Sequence, residues 1–600
     1  MKRDKIRENY LKESLKFTKL AKSEELILLS LSISRFLSFT GGLILTWFAF
    51  KIGLYTGLAV LLGVIIFFLW MLKLYSSHSA KKEFLGNLSA INRNEADAIS
   101  GDLSAFDGGN TYADTGHDFS NDVDLFGSSS LFQYLNRTAT GYGRDILAGW
   151  LSDPFLLSSQ LILRQETIKE IASKKKWRHE FMAHGMRKPL EKNQINSLLE
   201  WMDEKNIIKS TSVIKAMIYV MPSITILSFV FLLSGSLHYS VFTTFFLLNL
   251  LFVATGLRRT NRIHAVLSKK YNYLTSMDGL LKSFDNEVFT SSELNDIKKG
   301  ISDRKQSASS SVKKLSRLIQ AFDSRMNILV GFILNGLLLW DYHCIYRLEK
   351  WRHKNKSLFP EWLKLLGKVD AYISLGNYAD NNPDFSYPLI SDNGNVISAR
   401  ELGHQLIDCE KRVCNDFVIE QQGTICIITG ANMAGKSTFL RAVAVNFILG
   451  MTGAPVCAKE MKFTPLRLIT SMRTTDSLSN NESYFYAELR RLKMLKSEIE
   501  NDEPILFILD EILKGTNSAD KSLGSKLFLG KMASLGATGL IATHDTSVCL
   551  MENDFPGKFI NKCFEVEIDG ENISFDYKLR NGITHKMNAA LLMKHMGILD

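Results

Sequence analysis

The segment that constrains this chain most is Thr429-Gly430-Ala431-Asn432-Met433-Ala434-Gly435-Lys436-Ser437-Thr438. Gly430, Gly435, Lys436 and Ser437 fit the spacing G-x-x-x-x-G-K-[ST]. The apolar run Ile425-Cys426-Ile427-Ile428 precedes them, and a helical pattern from Phe439 to Leu449 follows. A strand, a glycine loop and a helix in that order make a phosphate cradle. Glycines let the backbone wrap the phosphates, and the helix start points free N–H groups and a positive dipole end at them. Lys436 is expected to reach the β- and γ-phosphates, and Ser437 to ligate Mg²⁺. A second run, Ile505-Leu506-Phe507-Ile508-Leu509-Asp510-Glu511, is apolar until two carboxylates end it. That is the pattern of a buried parallel strand delivering acids to its C-terminal edge. Asp510 would complete the Mg²⁺ shell and Glu511 would polarise the attacking water. A third short strand, Gly539-Leu540-Ile541-Ala542-Thr543, ends in His544, placed to contact the γ-phosphate or its water. The three together predict a nucleotide-hydrolysing α/β domain.

These residues resemble a known family. Thr429 to Thr438 is similar to the P-loop of the MutS mismatch-repair ATPases, T-G-x-N-M-[AG]-G-K-S-T. Asp510 to Ser518 resembles that family's D-E-[IL]-x-[RK]-G-T-x-[ST], and Ala542-Thr543-His544 its A-T-H. Asp476-Ser477-Leu478 and Glu482 to Glu488 resemble its S-T-F-x-x-E segment. Tyr577-Lys578-Leu579, Gly582 and Met596 to Leu599 look like its closing strand and last helix. The resemblance is dense over residues 400–600. It implies ATP as the nucleotide, Mg²⁺ as the metal and a homodimer in which two ATPase domains sandwich each nucleotide. Ser483 would complete the γ-phosphate contact from the second copy. Gly430, Ala431, Asn432, Met433, Ala434, Gly435 and Thr438 would line the phosphate loop. The adenine-stacking pair falls at Arg412-Val413, with Phe417 as a rival.

Upstream, Ser130 to Pro154 and Arg164-Gln165 resemble the start of the helical core of the same family, and Leu366 to Ala379 its return from the lever to the ATPase. The F-x-E wedge of its mismatch-reading domain has no counterpart expected here, because residues 1–122 are occupied otherwise. Phe359-Pro360-Glu361 has the spacing but lies before a helix. Neither the helix-turn-helix extension nor the nuclease tail of some relatives is expected.

The chain is 46% hydrophobic, with mean hydropathy near zero, so apolar segments need locating. Two regions carry them. Leu26 to Leu74 is apolar apart from Arg35, Gly41-Gly42 and Lys51-Ile52-Gly53, and reads as two spans joined by a tight turn. Val213–Gly235 and Tyr239–Leu257 form a second pair. Each approaches the ~20 residues a bilayer crossing needs. Lys and Arg flank the outer ends of both pairs, which places those ends in the cytoplasm. A buried soluble helix pair is the competing reading of the first. Ile328 to Trp340 is apolar but shorter than a span, and is expected as a core helix.

The expected organisation is therefore a basic cytoplasmic tail over 1–25, a transmembrane hairpin over 26–75 and a linker over 76–122. A MutS-like all-α core and lever domain follows over 123–400, interrupted by a second hairpin at 213–257. An ABC-type P-loop ATPase domain occupies 401–600. The expected location is the inner (cytoplasmic) membrane, multi-pass, with the ATPase domain and both termini cytoplasmic. A net charge of +10 and a pI near 9.0 permit contact with nucleic acid or an anionic membrane surface. Lys174-Lys175-Lys176 with Arg178, and Lys298 to Lys314, are the basic clusters, each equally readable as a solvated helix face. DNA, or a protein partner recruited without DNA, follows from these readings. An ABC-exporter-like machine is a minor alternative, suggested by four spans with an ATPase and opposed by the lack of an L-S-G-G-Q string. The seven cysteines form no C-x-x-C pair, which argues against structural zinc.

Overall fold

The computed structural model describes residues 2–154, 157–187, 192–204, 212–303, 306–391, 396–473, 484–501, 504–569 and 572–584. Helices α1 (Lys2–Ile52) and α2 (Leu54–Ile99) pair along their lengths. Of the basic segment expected over 1–25, residues 2–25 are the first half of α1, and they dock instead of trailing. Tyr10 is fully buried, donates to Asn381 Oδ1 at 2.7 Å and stacks beside His179.

The linker expected from residue 76 begins only after Ile99. Leu88, Ile91, Asn92, Glu95 and Ala96 recur at helical spacing and are all buried, so a segment that looks polar hides a core stripe. Glu95 fastens this helix to the rest. Its Oε1 accepts from Arg137 Nε at 2.5 Å and its Oε2 from Asn381 Nδ2 at 2.9 Å.

The helical core follows as α3 (Gly141–Ser152), α4 (Ser158–Ser173) and α5 (Lys175–Met186). The second apolar pair is α6 (Ser212–Leu233), with Pro222 inside it, and α7 (Tyr239–Leu267). Then come α8 (Tyr271–Asn286), α9 (Ala308–Asp323), α10 (Ile328–Leu338), α11 (Trp340–Asn355) and α12 (Leu358–Asn381). The long α12 is the spine, packing on α3 and α4. Gly367 lets the first contact close, since a Cβ there would lie 2.9 Å from Tyr142. Phe359 is buried between Trp351 and Trp362, so the Phe359-Pro360-Glu361 string is core.

Among the described residues four helices, α1, α2, α6 and α7, are long and apolar enough to cross a membrane, and their most apolar windows are at most 22% buried. Ile328–Trp340 is not the core helix its composition suggests. The outer face of α10 is exposed, and α11 leaves it at a bend of 80°.

Two sheets of the C-terminal region use ten of its described strands. They are β1 (Leu389–Ile390), β2 (Ile397–Leu402), β3 (Asn415–Ile419), β4 (Ile425–Gly430), β5 (Glu460–Phe463), β6 (Arg467–Ser471), β7 (Ile505–Asp510), β8 (Thr538–Ala542), β9 (Phe559–Phe564) and β10 (Leu579–Asn581). The boundary expected at 400/401 falls inside β2, because β1 and β2 join β5 and β3 in one four-stranded sheet ordered β1-β5-β2-β3. The six-stranded sheet has the order β10-β9-β4-β8-β7-β6, parallel except for β10. Because side chains alternate faces, Cys426, Ile428, Leu506, Ile508, Leu540 and Ala542 face α13 (Lys436–Met451) and a core continuous with the helical region. Ile425, Ile427, Phe507, Leu509 and Ile541 face α14 (Tyr484–Glu500) and α15 (Ser518–Ser534). A strand buried on both faces has no polar position to spare, which is why these runs are uninterrupted until their C-terminal ends.

Candidate active site

The central strand β4 is buried throughout and ends at Gly430, whose φ is 154° and where a Cβ would meet the Phe564 carbonyl at 2.8 Å. The loop then turns through Met433, at φ 67°, and Gly435, at φ 103°, directly into α13. Gly435 is needed there, since few side chains adopt that conformation. No side chain caps α13, so its first N–H groups point into the cavity beyond the loop.

That cavity has a volume of about 660 Å³ and is lined by Asn432, Met433, Gly435, Lys436, Ser437, Thr438, Asp510, Glu511 and His544. Lys436 Nζ donates to the carbonyls of Gly430 at 2.8 Å and Ala431 at 2.9 Å, and lies 3.1 Å from His544 Nε2. Burial pushes its amine down to about 8, against the opposing pull of Glu511 and Asp510. The parallel register of β4, β8 and β7 brings these groups together: Ala542 pairs with Ile428 on one side and Asp510 on the other.

Glu511 stands just beyond β7 at φ 52°, its N–H donated to the Ala542 carbonyl at 2.9 Å. Its Oε1 lies 2.7 Å from His544 Nε2. That hydrogen bond, helped by the charges of Lys521 and Lys514, holds the carboxyl down at about 2 in spite of partial burial. One imidazole nitrogen cannot donate to Glu511 and accept from Lys436 at once. The shorter Glu511 contact identifies donation to the carboxylate as the stronger partnership.

The loop after Glu511 is propped from below. Glu488, 3% exposed, accepts the Leu513 N–H at 2.6 Å. A Cβ on Gly515 would lie 3.0 Å from that of Phe485, and Asn517 caps α15 through the Asp520 N–H at 2.8 Å. The Gly-Thr-Asn string after the carboxylates is thus a close approach followed by a helix start.

The far end of the cavity differs from expectation. Val413 lines it, together with His404, Ile407, Lys411, Phe439 and Tyr577. Arg412 does not. Its guanidinium is turned inward, donating to the Ile407 carbonyl at 2.7 Å and to Cys457 Sγ at 3.0 Å, and sits over the Phe385 ring. Phe417, the rival, is buried against Phe439 at 5.4 Å. The accessible aromatic is Tyr577, 44% exposed, at φ 54°. Asn415 holds its loop by donating to the Tyr577 carbonyl at 3.0 Å and accepting from Leu579 N at 2.8 Å. The sequence reading puts Tyr577 within the closing strand, which begins only at Leu579, and does not mark it as a site residue, since only folding returns it to the phosphate loop. Burial pushes His404 down to about 4, so it faces the cavity as a neutral imidazole. Ser483, with Asp476, Ser477 and Glu482, lies outside the described residues.

Residues 426–596 match the family model for MutS domain V. The domain V match thus takes in β4 from Cys426 onward, the phosphate loop and both carboxylates. Over a somewhat longer stretch the chain is similar to proteins named DNA mismatch repair protein MutS. It is 27% identical to that of Thermotoga maritima over 250 residues, 41% of this chain and 31% of the relative. The values are 31% over 245 residues for Lachnoclostridium phytofermentans, covering 39% and 26%. For Persephonella marina they are 32% over 244 residues, covering 39% and 27%. The chain therefore spans about a third or less of the length of these relatives.

Part of each basic cluster is turned to internal use, while Lys176, Lys299, Lys313 and Lys314 are exposed. Lys174 Nζ is 2.7 Å from Glu287, and Arg178, fully buried, is 2.6 Å from Asp380. Lys175 lies over the Tyr10 ring at 3.6 Å, and Lys298 donates to the Glu287 carbonyl at 2.6 Å. For Lys174 and Arg178 the reading as a solvated helix end is corrected: they pin α5 to the elements beside it.

Proposed function

We propose that this chain is a membrane-anchored, MutS-like ATPase that binds and hydrolyses ATP with Mg²⁺ in a site completed by a second copy. The observation that carries this reading is the convergence of Lys436, Ser437, Asp510, Glu511 and His544 on one cavity beside an uncapped helix start. The donor set fits the metal, because a hydroxyl and a carboxylate are the hard oxygen ligands that Mg²⁺ takes. When bound, Mg²⁺ supplies charge neutralisation at the β- and γ-phosphate oxygens.

The remaining work belongs to the chain. Lys436 exchanges two loop carbonyls for phosphate oxygens. Glu511 stays ionised throughout the physiological range and orients and polarises a water, being too weak a base to hold its proton. His544 keeps that carboxylate aimed. Ser483 is assigned to the γ-phosphate of the second copy by resemblance alone. α1, α2, α6 and α7 are proposed to span the cytoplasmic membrane with the ATPase on the cytoplasmic side. Their apolar exposed surfaces support this. Both hairpins run without a break into helices that pack on the core, so closure of an ATPase pair has a rigid route to the bilayer.

DNA is the proposed polymer partner, on the strength of the relatives' names. A second reading, an ATP-driven membrane switch that recruits a protein, is favoured by the internal pairing of Lys174, Arg178 and Lys298. ATP hydrolysis by the full chain in nanodiscs, with duplex, mismatched and branched DNA and Lys436→Ala as control, separates them. Salt-sensitive stimulation by DNA supports the first. Hydrolysis indifferent to every DNA leaves the switch.

Two further outcomes follow from the cavity. A free site with its amine near 8 and a bound polyanion that keeps the amine charged means that binding takes up a proton. ATP affinity should then fall about tenfold per pH unit from roughly pH 8 upward. Lys436→Arg, charged at all these pH values, should flatten the profile, as read by fluorescent-nucleotide titration. Tyr577→Ala should weaken ATP binding by about 1–3 kcal/mol, the value of base–aromatic stacking, while leaving inorganic triphosphate binding unchanged. Equal losses for both ligands would remove Tyr577 from the base side.

A further inference from the structure

We infer that α10 is a re-entrant membrane element, dipping into the lipid from the cytoplasmic side and returning without crossing. The inference rests on the membrane placement of α6 and α7 proposed above. It starts from apolar side chains of α10 that the described residues leave largely uncovered. Ile328, Leu329, Phe332 and Ile333 are 86%, 73%, 53% and 50% exposed, at the i, i+1, i+4, i+5 spacing of one helix side. Gly331, Asn335 and Gly336, at i+3, i+7 and i+8 from Ile328, are buried further along the helix. Small residues there let neighbours approach, as between helices in lipid. A Cβ on Gly336 would overlap the Phe246 ring.

Depth can be measured against α7. Its apolar run extends from Tyr239 to Leu257, and Arg258, Arg259 and Arg262 mark the cytoplasmic end. At the entry, Asp323 Oδ1 meets His264 Nε2 at 2.8 Å, beyond those arginines, and Arg325 donates to Asn261 Oδ1 at 2.8 Å, among them. The chain then reaches the level of Phe246, whose ring is 5.3 Å from Phe332. At 1.5 Å per residue this is about 18 Å inward from Arg258, past the middle of the span. Asn249 Nδ2 donates to the Gly336 carbonyl at 2.7 Å and to Thr225 Oγ1 at 2.9 Å. On the way out, Tyr342 stacks near Phe252 at 4.8 Å. Arg325 Nε closes the neck on Asp341 Oδ2 at 3.0 Å.

A complete fifth crossing is excluded by what precedes and follows. Trp340 Nε1 donates to the Ala321 carbonyl at 2.9 Å, and Trp351 Nε1 to that of Ser311 at 2.8 Å, so α9 and α11 lie together on one side. The turn that ends α10 costs little. Leu339, at φ 49°, donates to the Asn335 carbonyl, and Asn335 Oδ1 accepts the Asp341 N–H at 2.9 Å. Irregular backbone inside a bilayer is tolerated where its polar groups are satisfied in this way. The occupant of the exposed face is lipid acyl chain, because that face continues the apolar belt of α6 and α7 at the same depth.

The test uses full-length protein in nanodiscs of phosphatidylcholine and phosphatidylglycerol, with Cys409→Ser and Cys414→Ser removing the accessible thiols. Nitroxides go singly on Leu329→Cys or Ile333→Cys, with Leu251→Cys in α7 as lipid control and Lys459→Cys as aqueous control. The expected result is an oxygen-to-nickel-chelate accessibility ratio at 333 equal to that at 251 and far above that at 459. A ratio at 333 matching 459, with 251 deep, overturns the re-entrant element alone. A water-like ratio at 251 overturns the membrane reading and this inference with it. Impermeant maleimide must also reach Lys350→Cys and Lys459→Cys from the same side of oriented vesicles. Labelling from opposite sides overturns the proposal in favour of a fifth span.

Discussion

Glu511→Ala is expected to lower the rate of ATP hydrolysis by about 10²–10⁴-fold, the usual worth of a positioned acid–base group, with ATP affinity nearly unchanged. The reason lies in the geometry. Glu511 meets His544 at 2.7 Å and reaches the cavity without contacting the loop carbonyls that hold Lys436. Removing it takes away the group that aims water and leaves the phosphate cradle standing. His544 then loses its carboxylate and is free to accept from Lys436, so a small change in affinity is consistent with the assignment. Single-turnover hydrolysis beside nucleotide titration makes the measurement. Equal loss of binding and turnover would overturn the role given to Glu511. Glu511→Gln sharpens the test: it keeps an acceptor for His544 and removes the charge, so a rate as low as that of the alanine variant assigns the effect to the carboxylate.

Glu95→Ala is expected to destabilise the full chain by about 3–5 kcal/mol, because it leaves a buried guanidinium without its carboxylate. Arg137 is 4% exposed and Glu95 fully buried in this ion pair. Glu95 also receives Asn381 from the end of α12, and Asn381 in turn receives the Tyr10 hydroxyl from α1. One carboxylate therefore joins both helices of the first hairpin to the spine that leads to the nucleotide region. Thermal unfolding in nanodiscs should show the loss, and the double variant Glu95→Ala with Arg137→Met should recover most of it, since no charge is then stranded. If the bilayer and the ATPase communicate along this route, Glu95→Ala should also disconnect lipid-dependent changes in hydrolysis while sparing nucleotide affinity. A single variant as stable as the parent would place the anchorage elsewhere.

The nucleotide region was legible because its constraints are local. Gly435 must adopt φ 103° between a strand and a helix, and Asp510-Glu511 must follow a strand buried on both faces. Each requirement leaves a short string that no ordinary helix or loop would carry. The two long apolar helix pairs were legible for a related reason, since a continuous apolar run shows in each segment alone. What depends on two distant parts of the chain was decided only by folding. Arg412 stands next to a cavity residue, yet the carbonyls of residues 405 and 407 and the Cys457 sulfur take its guanidinium away from it. Tyr577 comes to the phosphate loop from the far side of the sheet through Asn415. Residues 86–99 look like linker until the core that meets Leu88, Ile91 and Glu95 is in place. The apolar run at Ile328 has the composition of a core helix, and only its position beside Phe246 and Asn249 turns its other face outward. Spacing within one element carries backbone conformation and period; which neighbour claims a side chain is a property of the packed whole.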